Sequence, residues 1–84
     1  MTNKEILKKK IIYRSTHRGS KEMDILLGNF VKKHIDSLND KELYKLLEIL
    51  LIEDEVLHRW YFVGDNNKDV PDNKISAMLK QFKL

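Results

Sequence analysis

The chain contains no cysteine, which excludes a disulfide framework and a thiolate metal site and leaves a reducing compartment as the default. Proline occurs once and glycine three times, as Gly19, Gly28 and Gly64. Glycines so few and so far apart leave no G-x-G-x-x-G dinucleotide fingerprint and no P-loop. A cysteine nucleophile and a G-x-S-x-G elbow are missing too. His17, His34 and His58 never pair at the i, i+4 spacing that brings two imidazoles onto one helical face, so no metal site is expected. No apolar run approaches the ~20 residues that span a bilayer. The longest, Leu46 to Ile52, is broken by Glu48. Met1 to Glu5 carry no apolar core of a secretory signal.

What is present reads as one soluble domain over residues 1–84, with 42% hydrophobic and 35% charged residues. A chain this short is near the lower limit for folding unaided and buries about 60–65% of its unfolded surface. Charge is uneven. Residues 1–34 hold nine Lys/Arg against three Asp/Glu, and residues 35–84 hold seven against ten. A basic half and an acidic half favour docking on a partner of complementary charge, although a solvated lysine-rich surface fits the same distribution. Thirteen lysines against three arginines, with eight isoleucines and six asparagines, fit an AT-rich genome.

Apolar spacing predicts helices over residues 4–16, 20–37, 40–51, 54–63 and 71–82, packed as a compact antiparallel all-α bundle. In the first, Leu7 and Ile11 share a face while Ile12 and Tyr13 lie to the side. Met23, Leu26, Leu27, Phe30 and His34 follow the i, i+3, i+4 template, widened by Val31 and Ile35. Asn39 and Glu42 have capping-box spacing, with Leu38 and Leu43 as the hydrophobic staple. Leu43, Leu46, Leu47, Leu50 and Leu51 give the third stripe. Glu53-Asp54-Glu55 suits a helix N-terminus, Gly64-Asp65-Asn66-Asn67 a turn, and Pro71, capped by Asp69 or Val70, the start of the last helix. The expected core is Leu26, Leu27, Phe30, Leu43, Leu46, Leu47, Leu50, Leu57, Trp60, Met78, Leu79 and Phe82. His34 reads as a partly buried, satisfied histidine, His58 as solvated, and Trp60 as a packing residue.

Arg18-Gly19-Ser20-Lys21-Glu22 sets an R-G-x-x-E order at the junction of the first two predicted helices. Ser37 to Leu43 mark a second boundary, and Asp54, Leu57 and Trp60 stand in a D-x-x-L-x-x-W order. In these motifs, from about Ile11 to Phe82, the chain resembles the SdhE family, small assembly factors that help attach FAD covalently to succinate dehydrogenase. The resemblance implies a protein that acts by binding, not turnover, and holds no tightly bound cofactor. It acts on FAD held by its partner, the flavoprotein subunit of succinate dehydrogenase, with fumarate reductase open as a further client. That subunit bonds its own histidine to the flavin 8α-methyl carbon, a step that depends on orientation. The family's motif implies partner-binding roles for Arg18, Gly19 and Glu22, with Asp24 and Asp54 on the same surface. A monomer in the bacterial cytoplasm, without membrane insertion, is the expected state. A mitochondrial transit peptide is not expected, because the motif arrives by residue 18.

The chain departs from the family pattern in three places. His17 stands where many members have a second arginine, and Leu51 and Val56 replace residues that are often acidic. A purely structural role also fits the motif. Gly19 as N-cap would place Glu22 at N3 to fold back on it, Gly19 could supply a positive φ, and Arg18 could pair with Glu22 or Asp24 at the surface for less than about 1 kcal/mol. A competing class is a small basic nucleic-acid-binding domain, supported by Lys8-Lys9-Lys10 and a pI near 9.2. Against it, no helix shows a recognition face of Arg, Asn and Gln. A structural subunit packing through its basic helix is a third reading.

Overall fold

A computed structural model of the chain describes residues 2–66 and 68–83; Met1, Asn67 of the expected turn and Leu84 lie outside them. Five helices follow in order: α1 (Asn3–Thr16), α2 (Lys21–His34), α3 (Asp40–Leu50), α4 (Asp54–His58) and α5 (Lys74–Gln81). A 3-10 turn, Ile35–Ser37, extends α2, and a π-helical turn, Arg59–Val63, extends α4. Among the described residues there is no strand. The radius of gyration, 12.0 Å, is what a single compact domain of this length should have.

Side chains that satisfy the free N–H groups of a first turn set most of these starts. Thr2 accepts from Glu5 N–H, and Ser20 from Met23 N–H. Asn39 accepts from Glu42 N–H at 2.8 Å while Glu42 accepts from Asn39 N–H at 2.9 Å, the expected capping box. Glu42 is also bridged by Lys74 at 2.7 Å. The Lys74 ammonium, and then the Asn39 N–H, hold the Glu42 carboxyl below its ordinary value. A lowered carboxyl stabilises the fold above its unfolded-state value, and that stabilisation is lost as pH falls through the lowered one.

Two helix starts differ from expectation. Ser20, not Gly19, caps α2, because its hydroxyl supplies the acceptor that glycine lacks. The last helix begins at Lys74, not Pro71. Asn73 accepts from both Ile75 and Ser76 N–H, and Ser76 Oγ accepts from Asn73 N–H at 2.9 Å. The segment before it instead turns to bury Val70. The fourth helix covers the expected span but closes in a π turn, ended by Gly64 at φ 86°, whose N–H donates to Arg59 C=O.

Helix α1 packs on α2 and α3, and α3 packs on α5. Pressed from two sides, α3 buries Leu43, Leu46, Ile49 and Leu50. Leu47 is only half-buried, and Leu51, the residue at which the helix ends, is 57% exposed. The stripe is therefore rotated from the expected one. Leu26, Leu27, Phe30, Leu57 and Leu79 are buried as expected, whereas Trp60, Met78 and Phe82 cover the core's edge while half-exposed. Leu7, Ile11, Met23, Val31, Ile35, Leu38, Val70 and Ile75 complete the core; Ile12 and Tyr13 stay outside.

Truncating Leu46, which is fully buried, to alanine is expected to cost ~2–5 kcal/mol. Leu51→Ala should change stability by less than about 0.5 kcal/mol. Urea denaturation of the two variants measures both, and comparable losses would contradict the assigned orientation of α3.

Candidate functional site

The α1–α2 junction is tied to the α3–α4 junction through one side chain. Arg18 follows the end of α1, and its side chain is only 8% exposed. Its Nε donates to Asp54 Oδ1 at 2.6 Å, and Nη2 lies 2.6 Å from the same oxygen. Nη1 donates to Leu50 C=O at 2.6 Å and Arg14 C=O at 3.2 Å, and Nη2 to Ile52 C=O at 3.0 Å. Every nitrogen of the guanidinium fork therefore has a partner. Leu50 and Ile52 lie at the C-terminal end of α3 and Arg14 in the last turn of α1, where a cation complements the helix dipole and the unpaired carbonyls.

The anions are placed by the same logic. Asp54 opens α4 and Asp24 lies in the first turn of α2, both favourable for a carboxylate. Asp24 Oδ1 accepts the Arg18 backbone N–H at 2.7 Å, and Asp54 Oδ2 accepts the Gly19 N–H. Gly19 is not left-handed; Gly64 is the glycine with positive φ among the described residues. What Gly19 supplies is space, because a Cβ there would stand 3.0 Å from Asp54 Oδ2. The structure thus brings Arg18, Gly19, Asp24 and Asp54 into one knot.

This geometry corrects two expectations. Arg18 does not project from the surface or pair with Glu22; its guanidinium is turned inward onto α3 and α4. Glu22 is not an N3 fold-back residue, since Ser20 is the cap and Met23 the residue whose N–H it receives. Glu22 stands exposed in the first turn of α2, with no hydrogen bond or ion pair among the described residues. Of the five motif-linked residues, it is the one whose side chain the fold does not use. The missed cap had a visible signal, a serine three residues before Met23 at the start of the apolar stripe. The missed carbonyls of Leu50 and Ile52 had none, because backbone acceptors carry no residue signature.

Around the knot, Tyr13 is 62% exposed and stacks on His17 at 3.9 Å between ring centroids. His17 Nδ1 is 2.7 Å from Tyr13 C=O and 3.2 Å from Thr16 Oγ1. His34 is half-buried between Phe30 and Phe82. His58 is half-buried against Phe62, 4.7 Å between centroids, rather than solvated as expected. Trp60 is half-buried, with Lys80 Nζ 4.5 Å from its ring centroid, which supports the packing role.

A family model described as the flavinator of succinate dehydrogenase matches residues 9–83. The chain is 36% identical over 78 residues to a protein of Meyerozyma guilliermondii named succinate dehydrogenase assembly factor 2, mitochondrial, covering 92% of this chain and 58% of that one. It is 32% identical over 74 residues to the FAD assembly factor SdhE of Acetobacter pasteurianus, covering 88% and 65% respectively. To the FAD assembly factor SdhE of Wigglesworthia glossinidia brevipalpis it is 31% identical over 77 residues, covering 92% of each chain. The chain thus spans about three-fifths of the first two relatives and nearly all of the third. No solved structure matches it significantly.

Gly19 at the junction and Gly28 inside α2 should respond oppositely to alanine. At Gly28, inside α2, a Cβ would meet Thr16 Cγ2 of α1 at 3.6 Å, an ordinary van der Waals contact, so Gly28→Ala should stabilise by about 0.5–1 kcal/mol. Gly19→Ala should instead destabilise by ~1–2 kcal/mol, since Asp54 is pinned and cannot yield without losing Arg18. Equilibrium denaturation reads the sign of each change, and stabilisation by both would refute the close approach.

Proposed function

We propose that this chain, which belongs to the family of flavinators of succinate dehydrogenase, docks on the flavoprotein subunit of succinate dehydrogenase and promotes covalent attachment of FAD to it. The observation that carries this reading is the division of labour within the motif. Arg18, Gly19, Asp24 and Asp54 are spent on a rigid junction, and that junction holds Glu22 exposed and unpaired. A carboxylate kept free of internal partners, at a fixed position, is suited to a charge-assisted hydrogen bond with another protein. The exposed backbone at Gly19 permits close approach beside it.

In this reading the factor is not an enzyme. The flavoprotein's histidine forms the bond to the flavin 8α-methyl carbon, and the factor's contribution is to hold the subunit in the geometry in which that bond forms. Positioning alone can account for a large share of a reaction barrier. Glu22 contacts the partner directly, Gly19 through its backbone, and Arg18, Asp24 and Asp54 by fixing the loop that presents both. FAD stays with the partner throughout, and the free factor is a monomer of the bacterial cytoplasm. Fumarate reductase is a further client if its flavoprotein presents the same face.

No observation favours nucleic acid as the partner. The basic run on α1 is partly neutralised within the fold, Lys8 by Asp36 at 3.1 Å and Lys4 by Asp40 at 3.8 Å.

Glu22→Gln separates contact from architecture. The substitution touches no capping interaction, so thermal unfolding should be unchanged within about 1 °C, the scale of a few tenths of a kcal/mol. Covalent flavin fluorescence of the flavoprotein subunit, in cells lacking their own factor, should fall severalfold relative to the unaltered chain. Full flavinylation with Glu22→Gln would remove Glu22 from the contact.

A further inference from the structure

Glu22 is one end of a longer exposed line. Glu22, Ile25, Asn29, Lys32 and Lys33 are all exposed on α2 and fall at i, i+3, i+7, i+10 and i+11, one stripe of the helix. The far end of the stripe borders an open groove of about 770 Å³, lined by Ile25, Asn29, Lys32, Lys33, Phe82 and Lys83. Its apolar part is Ile25, 43% exposed, and the half-buried ring of Phe82. Its charged part is three lysines, with no Asp or Glu among the described lining residues. Asn29 donates its side-chain N–H to Ile25 C=O, which leaves its amide oxygen as an acceptor.

Apolar surface ringed by charge of one sign selects an occupant of opposite charge that carries an apolar side chain. A nucleic acid strand fits less well. Stacking of bases needs an open aromatic face, and the Phe82 ring is packed against Phe30 at 5.5 Å and lies under Lys33 at 5.7 Å. We infer that the α2 stripe and this groove form a second contact with the partner, receiving an acidic segment that bears one apolar anchor. The inference rests on the docking reading above and deepens it. Glu22 engages one end of the interface, and the lysine groove some turns of helix away fixes the partner's orientation about it.

The test is a titration of the purified flavoprotein subunit into the fluorescently labelled chain at about 50 mM and about 300 mM salt, on either side of the range where surface charges become screened. Lys32→Glu with Lys33→Glu should weaken binding about tenfold at low salt and flatten its salt dependence. Lys32→Gln with Lys33→Gln, which is gentler on the end of α2, and Ile25→Ser should each cost about threefold. Lys9→Gln with Lys10→Gln, away from the groove, should stay within about twofold. Unfolding temperatures of the same samples separate loss of contact from loss of fold. If the unaltered chain binds and the groove variants bind equally well, the groove is overturned and the docking reading stands. If the unaltered chain does not bind, both fall. Displacement of the subunit by a short oligothymidylate would assign the groove to nucleic acid and overturn the inference.

Discussion

The pairing of Arg18 with Asp54 is the constraint on which the rest of the site depends. A guanidinium removed from water is costly unless its donors and its charge are both matched. Here Arg18 is matched by one carboxylate and by carbonyls at the ends of two helices. Four chain segments therefore meet at one residue: its side chain joins the end of α1, the end of α3 and the start of α4, and its backbone N–H donates to Asp24 at the start of α2. Lysine could not replace it, because a single ammonium cannot direct donors to Leu50, Ile52 and Asp54 in one plane. The second oxygen of Asp54 then takes the Gly19 N–H, which brings the α1–α2 loop so close to α4 that a Cβ at residue 19 would stand only 3.0 Å from that carboxylate.

From this follows the separation between side chains the fold uses, those of Arg18, Asp24 and Asp54, and the exposed side chain of Glu22, which it leaves unpaired among the described residues. A short loop between helices would ordinarily be among the more mobile parts of a small domain. Tied down by Arg18 and capped by Ser20, it becomes a fixed platform, and Glu22 is its unpaired side chain. Pre-organisation of this kind lowers the entropic cost of binding. The same helix carries exposed residues on toward a basic groove lined by Lys32, Lys33 and Lys83.

Much of this was legible in the sequence. The Asn39–Glu42 box was readable because both partners lie three residues apart and both have strong local preferences. Five helices were readable from apolar spacing, and the motif from its residue order. Asp54 could be associated with Arg18 only through resemblance, since nothing local signals a contact across 36 residues. The inward turn of Arg18 was not legible, because two of its acceptors are the carbonyls of Leu50 and Ile52. Pro71, whose fixed φ suits a first turn, does not open α5, which begins at Lys74. The helix starts instead at the Asn73–Ser76 capping box, after a turn that buries Val70. Likewise Leu51 continued the leucine run in sequence but falls where α3 ends, and Ile49 takes its place inside.

The central claim is that Arg18 is a buried tie and not a surface contact, and a double-mutant cycle on unfolding free energy measures this directly. Arg18→Ala and Asp54→Ala should each destabilise by ~3–5 kcal/mol, the cost of leaving one member of a covered pair unmatched. Their combination should cost less than the sum, with a coupling of about 1–3 kcal/mol. Arg18→Lys should recover little of the loss. Single losses below about 0.5 kcal/mol that simply add, as exposed ion pairs do, would contradict the account.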